Sequence, residues 1–467
     1  MIPVTLEWVA EKVNGKHVGE NLTVESVSTD TRKIAKDDLF IALSGPNFDG
    51  HQFVEQAKEK GAVAVVVERA LAIDIPQIIV DDCKMALGKL GAAIKAEVNP
   101  LTVGITGSCG KTTVKEMVAE ILSSRGNVLA TEGNFNNDIG VPLTLLRLEH
   151  AHDFAVVEMG ANHLGEIAYT CSLTKPNVST IVNAAASHLE GFGSLLGVAR
   201  AKSEIFKGLD NDCTAILNKD SQFFDFWRGK SSHVTQQCFS MEEGVEADFS
   251  ASDITLGMDG CAQFELSTPQ GATWISLPLP GVHNVNNALA AASLSMAVGA
   301  TLEDIKMGLQ GMGQIKGRLN VKQLTSQVRL LDDTYNANVA SVNAAIDLLA
   351  SFSGRRILVL GDMAELGDKG RYYHEQVGEH ALESRIDAVY TFGVLSRHTS
   401  DVFDHKGKHF NDIDQLVEAL NQDFSHEKCD ISILVKGSRS ARMERVVAAL
   451  EVSPVGKLER VRESVAC

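Results

Sequence analysis

The chain has 467 residues, of which 44% are hydrophobic and 22% are charged, a composition that is typical of folded proteins and excludes a disordered chain. At about 100–200 residues per domain, this length predicts about three domains. The 43 Lys and Arg residues against 60 Asp and Glu residues give a net charge of -17. We therefore expect no nucleic-acid or anionic-membrane partner held by bulk charge, and any anionic ligand needs a local binding device.

Hydrophobic runs are short. The longest, residues 62–67, is far below the roughly 20 residues needed to span a bilayer. The N-terminal residues lack the basic and apolar segments of a signal peptide. The eight cysteines form no C-x-x-C pair, which indicates reduced thiols rather than disulfides or a zinc site. We expect a cytoplasmic protein.

Strand and helix patterns alternate from the N-terminus. The first stretch predicts strands at 39–43, 62–67 and 77–80 and helices at 51–60 and 84–96. Asn99-Pro100 then forms a connector, since the residue before a proline disfavours helix. Short strands separated by helices predict βαβ units and a largely parallel sheet.

Two further stretches repeat this alternation. The second predicts strands at 101–106, 154–158 and 178–183 and helices at 114–122 and 286–298. The third predicts strands at 329–333, 356–360, 388–392 and 431–435, with helices between them. The fold class is therefore α/β, with domains at residues 1–84, 85–314 and 315–467.

A glycine-rich turn follows the strand at 101–106. Its residues are Gly107, Ser108, Cys109, Gly110, Lys111, Thr112 and Thr113. The pattern departs slightly from G-x-x-x-x-G-K-[ST], because Ile105 stands at the leading position, but the flanking strand and helix are those of a P-loop. Backbone N–H groups and the helix N-terminus would bind phosphates, Lys111 would reach the β- and γ-phosphates, and the Thr112 hydroxyl would ligate Mg²⁺.

Other candidate residues for metal binding and catalysis near the γ-phosphate follow neighbouring strands or lie in the next helix. Glu158 ends the strand at 154–158, where an α/β sheet beside a P-loop places a metal-binding carboxylate. His188 follows the strand at 178–183 after a loop of small residues, and both a ligand and a structural role remain open for it. Lys202 lies in a helical run, and the pattern alone predicts an exposed lysine.

Motifs along nearly the whole chain resemble those of the Mur ligase family. They are Thr29-Asp30-Thr31-Arg32, Asp49-Gly50-His51, the 106–113 loop, the 133–142 and 158–162 segments, the 188–193 and 201–204 segments, His283-Asn284-Val285-Asn286-Asn287, Gly317-Arg318-Leu319, the 333–338 segment and Lys436-Gly437-Ser438-Arg439. Gly133-Asn134-Phe135-Asn136-Asn137 and Tyr335-Asn336-Ala337-Asn338 resemble the branch that adds a dipeptide.

The resemblance implies a first domain that binds a UDP-muramyl peptide, a central P-loop ATPase domain and a Rossmann-like third domain that brings the incoming amino acid or dipeptide. It implies ATP-dependent amide formation between UDP-N-acetylmuramoyl-tripeptide and D-alanyl-D-alanine through an acyl phosphate, in peptidoglycan precursor synthesis. The expected cofactors are ATP and two Mg²⁺ ions, with a CO₂-derived carbamate on Lys202. We expect a monomer.

The resemblance also assigns residues. Lys111, Lys202 and His188 would be catalytic. Thr112 and Glu158 would hold one metal, and His188 with carbamylated Lys202 the other. The nucleotide would contact the 107–113 loop, Asn284, Asn287, Arg318 and Asp333. The substrates would contact Thr31, Arg32, Asn136, Asn137, Tyr335, Asn336, Asn338, Lys436, Ser438 and Arg439.

Three alternatives remain open from the sequence. The first is another amide ligase of the same superfamily, either a sister ligase that adds an amino acid instead of a dipeptide or an enzyme like folylpolyglutamate synthetase. A P-loop small-molecule kinase would form no amide. A nucleotide-binding module would bind without turnover. The sequence also leaves open whether the third residue of the tripeptide is meso-diaminopimelate or lysine.

Overall fold

The computed structural model describes residues 1–46, 48–187, 189–424 and 426–458. Its strands form three main sheets, one after another along the chain, each flanked by helices. The predicted three-domain α/β class is therefore confirmed. In the part of the chain that is described, no helix is both long and apolar enough to cross a membrane.

The first sheet has the order β2-β9-β8-β5-β4. Strands β4, β5, β8 and β9 are parallel neighbours, and β2 is antiparallel to β9. The strands of this region are β1 (Val4–Thr5), β2 (Lys16–Val18), β3 (Thr23–Val24), β4 (Val27–Ser28), β5 (Leu39–Ile41), β6 (Ser44–Gly45), β7 (Phe48–Asp49), β8 (Ala64–Val67) and β9 (Gln77–Ile79). Strands β1 and β3 form a separate two-stranded sheet, and so do β6 and β7. The helices are α1 (Leu6–Val13) and α2 (Val54–Glu59), with a 3₁₀ turn at Gly50–Phe53.

The central sheet has the order β11-β12-β10-β13-β14-β15-β16-β17-β18. Its strands are β10 (Leu101–Thr106), β11 (Val128–Ala130), β12 (Phe154–Glu158), β13 (Val178–Ile181), β14 (Thr214–Asn218), β15 (Thr235–Ser240), β16 (Phe249–Leu256), β17 (Cys261–Thr268) and β18 (Gly271–Pro280). Neighbouring strands from β11 to β16 are parallel, as predicted. The antiparallel end, β16-β17-β18, was not predicted.

Helices cover both faces of the central sheet. They are α3 (Cys83–Val98), α4 (Lys111–Ser123), α5 (Gly140–Leu145), α6 (Glu166–Thr174), α7 (Leu189–Phe192), α8 (Leu195–Lys202), α9 (Phe224–Lys230), α10 (His283–Ala297) and α11 (Leu302–Gln310), with a 3₁₀ turn at Ser203–Gly208. Helix α4 begins directly at the glycine-rich turn, so its N-terminal N–H groups face the carboxyl edge of the sheet.

The third sheet has the order β19-β20-β24-β21-β22-β23, and its strands are parallel except β19. They are β19 (Asn320–Gln323), β20 (Val328–Asp333), β21 (Arg355–Gly361), β22 (Ala388–Phe392), β23 (Gly407–Phe410) and β24 (Ile431–Lys436). The helices are α12 (Val339–Ser351), α13 (Gly370–Glu383), α14 (Arg397–Asp401), α15 (Ile413–Phe424) and α16 (Glu444–Val452). Such a sheet fits the predicted Rossmann-like domain.

The hydrophobic cores do not divide as the sheets do. Val9 of α1 and Leu87 of α3 belong to the same buried cluster as Leu145 and Ile167 of the central domain. The buried residues of the third domain form two clusters of their own, drawn only from residues 319–455. We keep the domain boundaries near residues 84 and 315 as a proposal, since each falls between the last strand of one sheet and the first of the next.

Candidate active site

A cavity of about 650 Å³ lies between the central and third domains. Because the strands of the central sheet are parallel, their carboxyl ends meet at one edge, and loops from β10, β13, β14 and β15 line the cavity there. The predicted residues that line it are Ser108, Cys109, Gly110, Lys111, Thr113, Asn284, Asn287, Arg318, Asp333, Asn336, Asn338 and Lys436.

The glycine-rich turn is held in a phosphate-binding shape. Gly110 has a φ of 78°, in the left-handed region, and a Cβ there would lie 2.4 Å from Asn287 Oδ1. The Lys111 ammonium donates to the carbonyl of Gly107 at 2.8 Å. Burial lowers the pKa of Lys111, and the Glu158 carboxylate opposes that effect. The turn therefore presents a cation and free helix N–H groups to an anion.

Two predicted site residues donate hydrogen bonds to Glu158, which is buried with 2% of its surface exposed. The register of β10 against β12 places Ile105 opposite Glu158, which brings this carboxylate beside the start of the turn. Thr112 Oγ1 donates to Glu158 Oε2 at 2.9 Å, and Asn136 Nδ2 donates to Oε1 at 2.7 Å. The structure thus brings together three predicted residues, and the carboxylate is not a solvated strand end.

Lys202 lies at the end of α8 and is 2% exposed, so the exposed lysine predicted from its pattern was wrong. Burial, reinforced by the nearby charge of Lys111, lowers its pKa well below the ordinary value. His188, the predicted partner of Lys202, lies outside the described residues. Among those that are described, no group of three or more His, Cys, Asp or Glu side chains is placed to hold a metal.

The start of α10 forms another wall of the cavity. Asn287 Nδ2 donates to Asn284 Oδ1 at 2.9 Å, and Asn284 Nδ2 donates to the carbonyl of Pro280 at 2.7 Å. Sequence analysis missed residues at this wall and near the turn, namely Asn183, Ala185, Asn218, Asp220, Met241, Glu242, His283 and Asn286. Of these, Asn183 and Ala185 follow β13, Asp220 follows β14, and Met241 and Glu242 follow β15. They could have been predicted, because ligands of α/β sheets bind beyond the carboxyl ends of the strands.

Asn183 is the clearest of these missed residues. Its Oδ1 accepts from the Cys109 N–H at 2.9 Å, and its Nδ2 donates to the Cys109 carbonyl at 3.1 Å. The amide thus pairs with both backbone groups of one residue in the glycine-rich turn. This fixes the peptide that faces the cavity.

The third domain contacts the glycine-rich turn directly. Arg318 Nη2 donates to Thr112 Oγ1 at 3.1 Å, and its guanidinium lies 4.1 Å from the centre of the Tyr335 ring. The Cys109 thiol contacts Asn338 Oδ1 at 3.2 Å, and Asn338 also caps α12. These contacts hold the two domains close around the cavity.

Asp333 and Lys436 form an ion pair inside the cavity wall. The parallel register of β20 and β24 places them opposite each other, and both are buried. Lys436 Nζ also donates to the carbonyl of Asn336 at 3.0 Å. In this structure the residue predicted to contact the nucleotide, Asp333, and the residue predicted to contact a substrate, Lys436, therefore neutralise each other.

The remaining predicted substrate residues do not line the cavity. Asn137 Oδ1 accepts from the N–H of Gly140, the first residue of α5, at 2.8 Å. The Arg32 side chain is 85% exposed and pairs with Asp30, and Thr31 accepts from Lys60 through its carbonyl. The Ser438 hydroxyl meets Ser440, and Arg439 pairs with Glu444 at 3.2 Å. Their substrate contacts stay predictions.

Three family models match the chain in succession. They describe the Mur ligase family catalytic domain at residues 23–124, the Mur ligase middle domain at 105–295 and the Mur ligase glutamate ligase domain at 317–439. A UDP-N-acetylmuramoyl-tripeptide--D-alanyl-D-alanine ligase of Escherichia coli is 49% identical over 451 residues, covering 97% of this chain and 99% of the relative. The chain belongs to the Mur ligase family.

Less similar relatives carry the same name, and the Bacillus subtilis one is 35% identical over 97% of this Mur ligase and 100% of its own length. Among solved structures, MurF from Acinetobacter baumannii superimposes with a TM-score of 0.91 at 37% identity, over 96% of this chain and 99% of that one. MurF from Thermotoga maritima in complex with ADP superimposes with a TM-score of 0.79 at 28% identity, over 92% of this chain and 97% of that one.

Proposed function

We propose that this Mur ligase joins D-alanyl-D-alanine to UDP-N-acetylmuramoyl-tripeptide, with conversion of ATP to ADP and phosphate. The observation that carries the proposal is the cavity, which has the glycine-rich turn on one side and the 333–338 segment of the third domain on the other. Relatives that match over nearly the whole length carry the name of this activity.

The chemistry fits the residues at the turn. A carboxylate is a poor electrophile, because its leaving group would be oxide. Transfer of the γ-phosphoryl group to the tripeptide carboxylate gives an acyl phosphate, and attack by the amine of the dipeptide then forms the amide and releases phosphate. Phosphoryl transfer needs mainly positioning and charge neutralisation. Lys111 and the N–H groups at the start of α4 supply both from this chain.

The donor set beside Lys111 suits Mg²⁺. A threonine hydroxyl and a buried carboxylate are hard oxygen donors, and Thr112 and Glu158 lie within 2.9 Å of each other. When bound, Mg²⁺ supplies further neutralisation of phosphate charge. Arg318 donates to the same hydroxyl, so it keeps the Thr112 side chain turned toward the Glu158 carboxylate.

We extend the proposal to a second Mg²⁺ held by His188 and a carbamate on Lys202. An ammonium has no lone pair for a metal, whereas a carbamate offers two oxygens and a negative charge. The deep burial of Lys202 and its lowered pKa support this proposal, because CO₂ reacts with the neutral amine. Lys202→Ala should be nearly inactive and partly rescued by acetate or formate, and Lys202→Arg should be equally poor. Wild-type turnover of either variant in CO₂-depleted buffer would refute the carbamate.

One assay separates the proposed activity from its alternatives. ADP is measured with ATP, D-alanyl-D-alanine and each of the two UDP-muramyl tripeptides, containing meso-diaminopimelate or lysine. Sustained ADP formation over many turnovers without any amine acceptor would favour a kinase, and a preference for a single amino acid would favour a sister ligase. We also expect hydroxylamine to trap an activated carboxyl group when the dipeptide is omitted. We further propose that the enzyme acts in the cytoplasm and that it is a monomer.

A further inference from the structure

Lys115 is a buried lysine with no part in the proposed chemistry. It lies on α4 one turn beyond Lys111 and is almost fully buried. Its acidic neighbour Glu116 contacts its ammonium, but the Glu116 side chain is 39% exposed. The buried partner of the ammonium is the carbonyl of Thr131, at 2.7 Å. Burial of an ammonium is costly, so an apolar side chain would serve better if Lys115 only filled space.

Thr131 connects this ammonium to Glu158. It directly follows β11, and its N–H donates to the carbonyl of Val156 at 3.0 Å, which extends the ladder between β11 and β12. Its hydroxyl accepts from the N–H of Glu158 at 3.0 Å. Lys115 therefore fixes the backbone of the residue that in turn fixes the backbone of Glu158.

The segment that Thr131 begins returns to the same carboxylate. Asn136 donates to Glu158 Oε1 through its side chain, and its carbonyl accepts from the N–H of Gly160 at 2.8 Å. Beyond it, Asp138 pairs with Lys84 of α3. The far end of the 131–138 segment is thus anchored on α3, and its near end is anchored on α4 through Lys115.

We propose that Lys115 is a positioning residue, which couples the helix that follows the glycine-rich turn to the 131–136 segment and so sets the place of Glu158 and Asn136. Lys115 itself faces a backbone carbonyl and does not line the cavity. The inference rests on the proposed function only where it concerns the tripeptide, which Asn136 is predicted to contact.

The first test is hydrogen exchange of the ligand-free protein, which needs no activity. Lys115→Met keeps the bulk of the lysine side chain and removes the charge-assisted hydrogen bond. Amide hydrogen exchange in peptides covering 131–138 should therefore be about tenfold faster, which is the change expected from losing one such bond. Lys115→Arg can still donate to the Thr131 carbonyl and should restore most of the protection. Lys95→Met is a matched control, because Lys95 is also buried and donates to a carbonyl, that of Lys175, at 3.2 Å.

Steady-state kinetics form the second test. For Lys115→Met we expect the KM for UDP-N-acetylmuramoyl-tripeptide and the Mg²⁺ concentration at half-maximal rate to rise by about tenfold, while the KM for D-alanyl-D-alanine is unchanged. Thr131→Val, which removes only the acceptor for the Glu158 N–H, should raise the Mg²⁺ requirement and serves if Lys115→Met does not fold. Wild-type exchange in Lys115→Met, or an equal change at 131–138 in Lys95→Met, would overturn the proposal. The exchange result stands even if the protein ligates another substrate.

Discussion

Gly110→Ala should damage nucleotide binding far more than an ordinary glycine replacement. Gly110 caps α4 with a φ of 78°, and left-handed backbone costs a residue with a Cβ roughly 1–2 kcal/mol. The new Cβ would also lie 2.4 Å from Asn287 Oδ1, and moving that side chain would break its hydrogen bond to Asn284. Leaving a buried amide unpaired costs about 1–3 kcal/mol.

Gly165→Ala separates these two contributions. Gly165 also caps a helix, α6, with a φ of 92°, and a Cβ there meets nothing within 4 Å. Both variants bear the backbone cost, and only Gly110→Ala bears the clash. The clash of about 1–3 kcal/mol corresponds to a loss of roughly 5- to 150-fold in kcat/KM for ATP in Gly110→Ala, whereas Gly165 does not line the cavity and its variant should leave this ratio unchanged. Calorimetric titration with ADP measures the same loss without turnover. Equal affinities for ADP in the two variants would show that the fit of Gly110 against Asn287 is unimportant.

Three further predictions concern single side chains. Lys111→Ala should lower turnover by about 10²–10³-fold with an unchanged circular dichroism spectrum, because an uncharged side chain cannot replace a charge-assisted contact, and near-normal turnover would exclude it from the mechanism. Arg318→Lys loses the planar stacking on Tyr335 and should raise the KM for ATP by about tenfold, whereas Tyr335→Phe keeps the ring and should change it little. Burial lowers the pKa of His374 from its ordinary 6.5, so the unfolded chain binds a proton that the folded one does not. The free energy of unfolding in urea should therefore fall as the pH drops below about 6.5, less steeply in His374→Gln, and identical slopes would contradict this reasoning.

The glycine-rich turn and Glu158 could be predicted because their signals are local. An apolar strand, a glycine turn and a helix follow one another from Leu101 to Ser123, and Glu158 ends a strand of the same kind. Parallel strands bring such ends to one edge whatever their order. The position of Glu158 therefore follows from the strand pattern alone.

Lys202 shows where a local pattern fails. The pattern around it also predicts an exposed carboxylate at Glu204, yet Glu204 is buried and accepts a hydrogen bond from the Gly165 N–H at 2.9 Å. Likewise, Asp333 and Lys436 are 103 residues apart, and their pairing depends on β24 lying beside β20. Strand order is a property of the whole domain, so no window of sequence predicts that these two charges meet.

The unequal sharing of the hydrophobic cores has a consequence for recombination between relatives. A crossover near residue 315 exchanges a module that keeps both of its apolar clusters, so chimeras joined there should fold. On the role that the family resemblance implies for the third domain, they should also acquire the amine-acceptor preference of the donor chain. A crossover near residue 84 would divide the packing of α1 and α3 against the central domain and combine side chains that were never selected to fit. Exchange of the third domain alone is therefore the easier route by which such an enzyme could change its acceptor.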